Sequence, residues 1–240
     1  MSTLSNSVIA ELEAKSSAQQ ADEVSQFLNS DQNSWAQDNR ILGVISRRIF
    51  PIAKQFHQEA NIDDIETLLE NPHFEVRMAA MAIMDFQAQK RRTETSPHPD
   101  LFDLYLRRHD RINNSELVDR AARRVVGEQL LHSSREILDE LAASANPWKR
   151  RTAIVSTYAF IRLGDTEDIF RISAALIADP HPMVQKAIAS WVREASKHNP
   201  SGLIALLEEN HERMDQTTLR TATSTLDQST RRSYLSHLYR

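Results

Sequence analysis

The chain has 240 residues, 40% of them apolar, with 29 Lys and Arg against 33 Asp and Glu for a formal charge of −4. That length supports one substantial core without forcing a boundary, so residues 1–240 are expected to form a single domain. Cysteine is absent, which removes disulfides, thiol nucleophiles, Cys-based zinc sites and iron–sulfur clusters, and the acidic balance argues against a surface coated all over with nucleic-acid-binding charge.

Only four Gly and eight Pro interrupt a sequence rich in helix formers. The start carries no basic region followed by an apolar core, and no apolar run reaches the roughly 18 residues of a membrane span. A cytoplasmic chain that does not meet a membrane is the expectation. Apolar periodicity predicts helices over 6–16, 18–29, 39–58 with a bend at Pro51, 63–70, 74–91 and 100–109. It continues over 115–132, 134–144, 148–163, 166–178, 182–198, 200–209, 215–225 and 228–238, the last read as a capping helix. Residues 92–99 form the clearest loop, with Pro97 and Pro99 and no apolar side chain.

A short phrase recurs along this series. Asn71-Pro72 precedes Val76, Arg77, Ala79 and Ala80; Asn146-Pro147 precedes Arg151, Thr152 and Ile154; Asp179-Pro180 precedes Val184, Gln185, Ala187 and Ile188. Each reads as a turn whose Asn or Asp caps a helix, with Pro at the first helical position and an inward stripe following. Pro147 and Pro180 are 33 residues apart, and Pro72 and Pro147 are 75 apart, which leaves room for a degenerate repeat over 100–132. The fold predicted is all-α, a HEAT-like α-solenoid of stacked antiparallel helix pairs with a concave groove.

Much chemistry drops out. The nine His (57, 73, 98, 109, 132, 181, 198, 211 and 237) form no His-Glu-x-x-His pair, so no metal site is expected. Four distant glycines cannot build a dinucleotide or P-loop cradle, no Gly-x-Ser-x-Gly elbow occurs, and no cofactor is expected. Any catalysis must use carboxylates, arginines and water. Basic clusters at Arg47-Arg48, Lys90-Arg91-Arg92, Arg107-Arg108, Arg123-Arg124 and Lys149-Arg150-Arg151 alternate with acidic stretches. They read either as a positive groove face or as solvated helix surface laced with ion pairs.

Three segments concentrate polar chemistry at helix starts: Asn113 to Asp119, Asn146 to Ile154, and Val184 to Glu194 continuing to Lys197-His198-Asn199-Pro200. Stacked equivalent helices could set Asp119, Arg151 and Arg193 on one groove. Asp119 also has a purely structural reading, as an acid near a helix start with Arg123 four residues on.

These phrases, with Arg40-Ile41-Leu42-Gly43-Val44, resemble the AlkD-like DNA alkylation repair family of HEAT-like glycosylases for alkylated purines. The resemblance runs over most of the chain and is densest from Asn113 to Pro200. It implies a hydrolase that takes double-stranded DNA, damaged or branched, as a monomer associated with the bacterial nucleoid. By the same resemblance Asp119 is the catalytic carboxylate, and Arg151 and Arg193 hold the DNA backbone near the lesion. Trp148, Lys149, Arg150, Lys197, Arg47 and Arg48 join them as DNA-binding candidates. Ser115 and Ser190 stand where the family places tryptophans, so two aromatic walls are missing and the alternative is a weak or inactive DNA-structure-binding module. Loss of rings worth about 0.5–2 kcal/mol each corresponds to roughly one to three orders of magnitude in rate. A protein–protein scaffold is the third reading. Trp191, about 100° round the helix from Ser190, is expected to pack inward.

Overall fold

A computed structural model describes residues 3–29, 39–93 and 98–236. Residues 94–97 of the expected loop, residues 237–240 with His237, and the side chains of Lys90, Arg91 and Arg92 lie outside the described set. The fold is all-α: among the described residues the only β contact is an isolated bridge, in which Arg40 donates to the Pro72 carbonyl at 3.1 Å and accepts from Phe74 N at 2.8 Å. Contacts divide the chain into two compact units, Met1–Gln129 and Leu130–Arg240.

In the first unit, α1 (Thr3–Glu13), α4 (Ile62–Leu69) and α6 (Pro99–Arg107) form one layer. The other layer is α3 (Ser46–Phe56), α5 (Phe74–Thr93) and α7 (Ser115–Ala122), with α2 (Ala18–Asn29) between α1 and α3 in sequence. The long helix α5 is the core of this unit. Val76 and the run from Met78 to Met84 are almost wholly buried because α3, α4 and α7 cover it on three sides.

The second unit repeats the plan. One layer is α9 (Pro147–Ser156), α12 (Pro182–Ser196) and α14 (Gln216–Ala222). The other is α8 (Ile137–Ala142), α11 (Glu167–Ala175) and α13 (Pro200–Asn210). The short α10 (Tyr158–Ile161) follows α9, and α15 (Gln228–Leu235) closes the described chain.

Three predicted elements are corrected. Residues 39–45 are not helical, because the buried carboxylate of Glu75 takes the backbone N–H groups of Leu42, Gly43 and Val44 at 3.0, 2.8 and 3.2 Å. Gly43 sits at φ +80°, where a Cβ would lie 2.1 Å from the Ser17 carbonyl oxygen. The helix predicted over 115–132 changes at Arg123 into a π-helical segment, Arg123–Glu128, followed by a 3-10 turn to Leu131. The helix predicted over 148–163 divides at Thr157, where Ser156 and Thr157 hydroxyls donate to the Thr152 and Ile154 carbonyls, both at 2.7 Å.

The repeat register also moves. Asn146 and His181 cap α9 and α12, each side chain accepting from the backbone N–H two residues on, and the prolines at the first helical position are Pro147 and Pro182. Pro180 and Pro72 instead lie in the turns before their helices. The shared device is the residue four after the cap. Arg77 donates to the carbonyls of Asn71 and Pro72, Arg150 to those of Ser144 and Ala145, and Gln185 to those of Ile177 and Asp179, all at 2.9 to 3.0 Å. Each brace satisfies carbonyls that the turn would otherwise bury without partners. For Arg77, burial and the neighbouring Arg111 depress the pKa to about 10 against the opposing pull of Glu75, so it stays charged at neutral pH.

Between α5 and α7 sits a buried carboxylate, Asp85, that accepts from Arg120 at 2.6 Å and Arg124 at 2.5 Å. The Arg120 guanidinium also lies 4.5 Å from the Phe50 ring centroid and 4.9 Å from that of Phe86. Burial lowers the Arg120 pKa, and Asp85 opposes the shift. Removing only the acid leaves two cations facing each other beside aromatic rings. Asp85→Ala is therefore expected to cost about 3 kcal/mol in a urea unfolding measurement, a burial-limited pair being far worse halved than intact.

Candidate functional site

Helix α7 starts where Asn114, in an extended conformation, accepts the Leu117 N–H on its side chain at 3.0 Å. Leu117, Val118, Ala121 and Ala122 face the core and Glu116 is exposed, while Asp119 and Arg120 are half-buried, with Arg120 directed at Asp85. Asp119 is half-buried, one turn before the π-helical segment. A π turn releases a carbonyl from the regular ladder, and here the Arg124 carbonyl lies 3.1 Å from His98 Nε2 while His98 N donates to Gln129 Oε1 at 2.8 Å. Ser115, the first residue of α7, is buried and forms no wall beside Asp119 that a ligand could touch.

Arg47 and Arg48 lie elsewhere in the first unit. Exposed in the first turn of α3, they line an open cleft of about 640 Å³ with Glu11, Ala14, Lys15, Pro51, Ile52 and Gln55.

The second unit corrects several assignments in the Asn146 to Ile154 segment. Trp148 is 2% exposed and packs edge-on against His181, with ring centroids 5.1 Å apart, so it faces the core and not a ligand. Arg150 spends its guanidinium on its own turn and on Asp179, which accepts from Nε at 2.5 Å and from a terminal nitrogen at 3.0 Å. Arg151 is 5% exposed and donates to the Met183 carbonyl in the first turn of α12, so it braces two helices and presents no free charge. Lys149, half-buried, has no polar side-chain partner among the described residues.

On α12 the outward stripe is Lys186, Ser190, Arg193 and Lys197, at intervals of four, three and four residues. Lys197 is held by Glu194 at 2.5 Å, whereas Lys186 and Arg193 meet no carboxylate within ion-pair distance among the described residues. Arg193 is ten residues beyond Met183, about 15 Å along the axis, so Arg151 and Arg193 do not share an end of this helix. Trp191 is half-buried and not enclosed. Its ring lies 4.7 Å from that of Tyr158, tilted by 41°.

Sequence reasoning passed over Lys186, Asp85 and Glu75. The first was recoverable from its spacing to Ser190 and Arg193. The other two depend on long-range pairing that no local pattern encodes.

The family model for the DNA alkylation repair enzyme matches residues 8–226. No curated protein matches the chain significantly. A solved structure of a predicted DNA alkylation repair enzyme from Enterococcus faecalis aligns with a TM-score of 0.69 at 16% identity, covering 89% of this chain and 98% of that one. At that identity the likeness carries the helical fold. Among the described residues no helix is long and apolar enough to cross a membrane. With all but the first seven and the last fourteen of its 240 residues inside the family match, the chain belongs to the DNA alkylation repair enzyme family.

Proposed function

We propose that the chain is a DNA repair protein that hydrolyses the N-glycosidic bond of N3- or N7-alkylpurines, with Asp119 as its working carboxylate. The observation that carries this reading is Asp119 itself, a half-buried acid on a helix whose start is fixed by the Asn114 cap and whose body is tied to α5. An alkylated purine already bears positive charge. When the bond from C1′ breaks, its electron pair returns to the base, which leaves neutral, and the sugar becomes oxocarbenium-like. A carboxylate beside that sugar stabilises the charge and orients the water whose oxygen adds to C1′, and the proton which that water sheds passes through the carboxylate to solvent. Release of 7-methylguanine from methylated duplex DNA is the test, and no release above the uncatalysed rate would remove the reading.

Arg193, with Lys186, Lys197 and Lys149, supplies cations suited to duplex phosphates. Each phosphate contact contributes about −0.9 to the slope of log affinity against log salt. Replacing Lys186 and Arg193 together by alanine is expected to flatten that slope by about 1.8 in a fluorescence-anisotropy titration.

A second reading, a DNA-structure-binding module without chemistry, is favoured by one feature. Neither Ser115 nor Ser190 offers a ring to a cationic sugar, and Ser115 is buried. Salt-sensitive DNA binding without excision would select it.

A further inference from the structure

Asn61, Asn114, Asn146, Asn199, Asp215 and Asp227 cap their helices through side-chain oxygens. At the start of α12 the acceptor is a ring nitrogen instead. Nδ1 of the buried His181 takes the Met183 N–H at 3.2 Å. A nitrogen that accepts carries no proton, so this cap exists only while the imidazole is neutral.

Two features make loss of that neutral state costly. Pro182 has no N–H, so the Met183 N–H is the first open donor of the helix, while the Met183 carbonyl receives the buried Arg151 from α9. One residue thus holds the cap on its nitrogen and the brace between helices on its oxygen. The surrounding charges also oppose a proton. Lys149, Arg150 and Arg151 come from α9 and Lys186 from α12 itself, against Asp179 in the turn and Asp215 before α14. Asp179 already accepts from the Arg150 guanidinium and from His181 N at 2.8 Å, and Asp215 from Thr217 and Thr218. A proton on His181 adds one more cation, at the positive end of a helix.

We propose that His181 is a pH-sensitive latch, whose protonation releases the Met183 N–H, frays the first turn of α12 and loosens the Arg151 brace between α9 and α12. The unfolded chain takes up that proton near the ordinary histidine value of about 6.5, whereas the capped fold does so only by opening the latch. Stability from the latch is therefore full above that pH and is lost as pH falls through it. The latch is independent of the excision reading, although it sits at the start of the helix that carries Lys186 and Arg193.

The experiment is urea unfolding of the full chain, one pH unit above and one below about 6.5, for wild type, His181→Asn and His181→Ala. Asparagine caps as Asn146 does at α9 and does not titrate, so the acid response of every other group is common to both proteins and cancels in their ratio. From the higher to the lower pH, the wild-type unfolding constant is expected to rise about tenfold more than that of His181→Asn. His181→Ala, with no cap at either pH, is expected to unfold more readily than wild type at the higher pH and to approach it at the lower. Hydrogen exchange at the Met183 amide, corrected for the intrinsic effect of pH, locates the change. It is expected to speed with acid in wild type and to hold steady in His181→Asn. Equal acid responses of wild type and His181→Asn overturn the proposal. So does a larger wild-type response with an unmoved Met183 amide, which would place the effect elsewhere in the fold.

Discussion

Asp119→Asn is expected to lower 7-methylguanine release by about 10²–10³-fold, the scale on which one preorganised charge-stabilising group acts. Asparagine keeps the size of the side chain and leaves the Asn114 cap and the buried face of α7 untouched. It removes the negative charge that the excision step uses, so DNA affinity is expected to stay within about twofold while the rate collapses. Single-turnover kinetics on methylated duplex, beside a binding titration with the same DNA, separates the two. A rate unchanged in this variant would displace Asp119 from the mechanism. A rate and an affinity that fall together would move it to binding.

Gly43→Ala is expected to be the most damaging small substitution in the first unit. The left-handed backbone at φ +80° costs a residue with a Cβ about 1–2 kcal/mol. Overpacking adds a further ~1–3 kcal/mol, because the atom to be displaced is the Ser17 carbonyl oxygen at the start of α2 and not a mobile side-chain tip. Any shift of residue 43 also pulls its N–H away from Glu75, a buried carboxylate with three backbone donors. Against a typical total of about 5–15 kcal/mol, such a loss is large. Urea unfolding monitored by circular dichroism reads it, and a midpoint within error of wild type would show that the loop yields without strain.

The helical class and most helix positions were legible because they depend on local signals. Asn61, Asn114, Asn146 and Asn199 cap helices by the rule that a short polar side chain accepts a first-turn N–H. The segment 39–45 was misread because its apolar residues mimic helical spacing, while the acid that holds it extended lies more than thirty residues away. The π turn after α7 was hidden for a related reason: Arg123 to Glu128 carries no proline, its single Gly127 does not by itself mark a register shift, and that shift is matched by Asp85 on α5 and by His98 just before α6. At the site, residue type alone could not distinguish Arg151 from Arg193. One lies in the α9–α12 interface and the other faces water, a difference set by packing.

The recurring brace four residues after each cap differs in one respect among its three occurrences. Arg77 has donors to spare for Asn113 in the turn before α7, and Arg150 for Asp179 in the turn before α12, so each ties its helix start to the one that follows. Gln185 has two N–H groups and uses both on its own turn. The onward link from α12 is therefore made by other groups: the Thr218 hydroxyl of α14 donates to the Gln185 carbonyl at 3.4 Å, and the Ser196 and Thr225 hydroxyls meet at 2.7 Å. With the buried Leu219 and Ala222 of α14 packed on α12, α9, α12 and α14 are expected to stay protected together in native-state hydrogen exchange, while α15, which buries no residue, opens first.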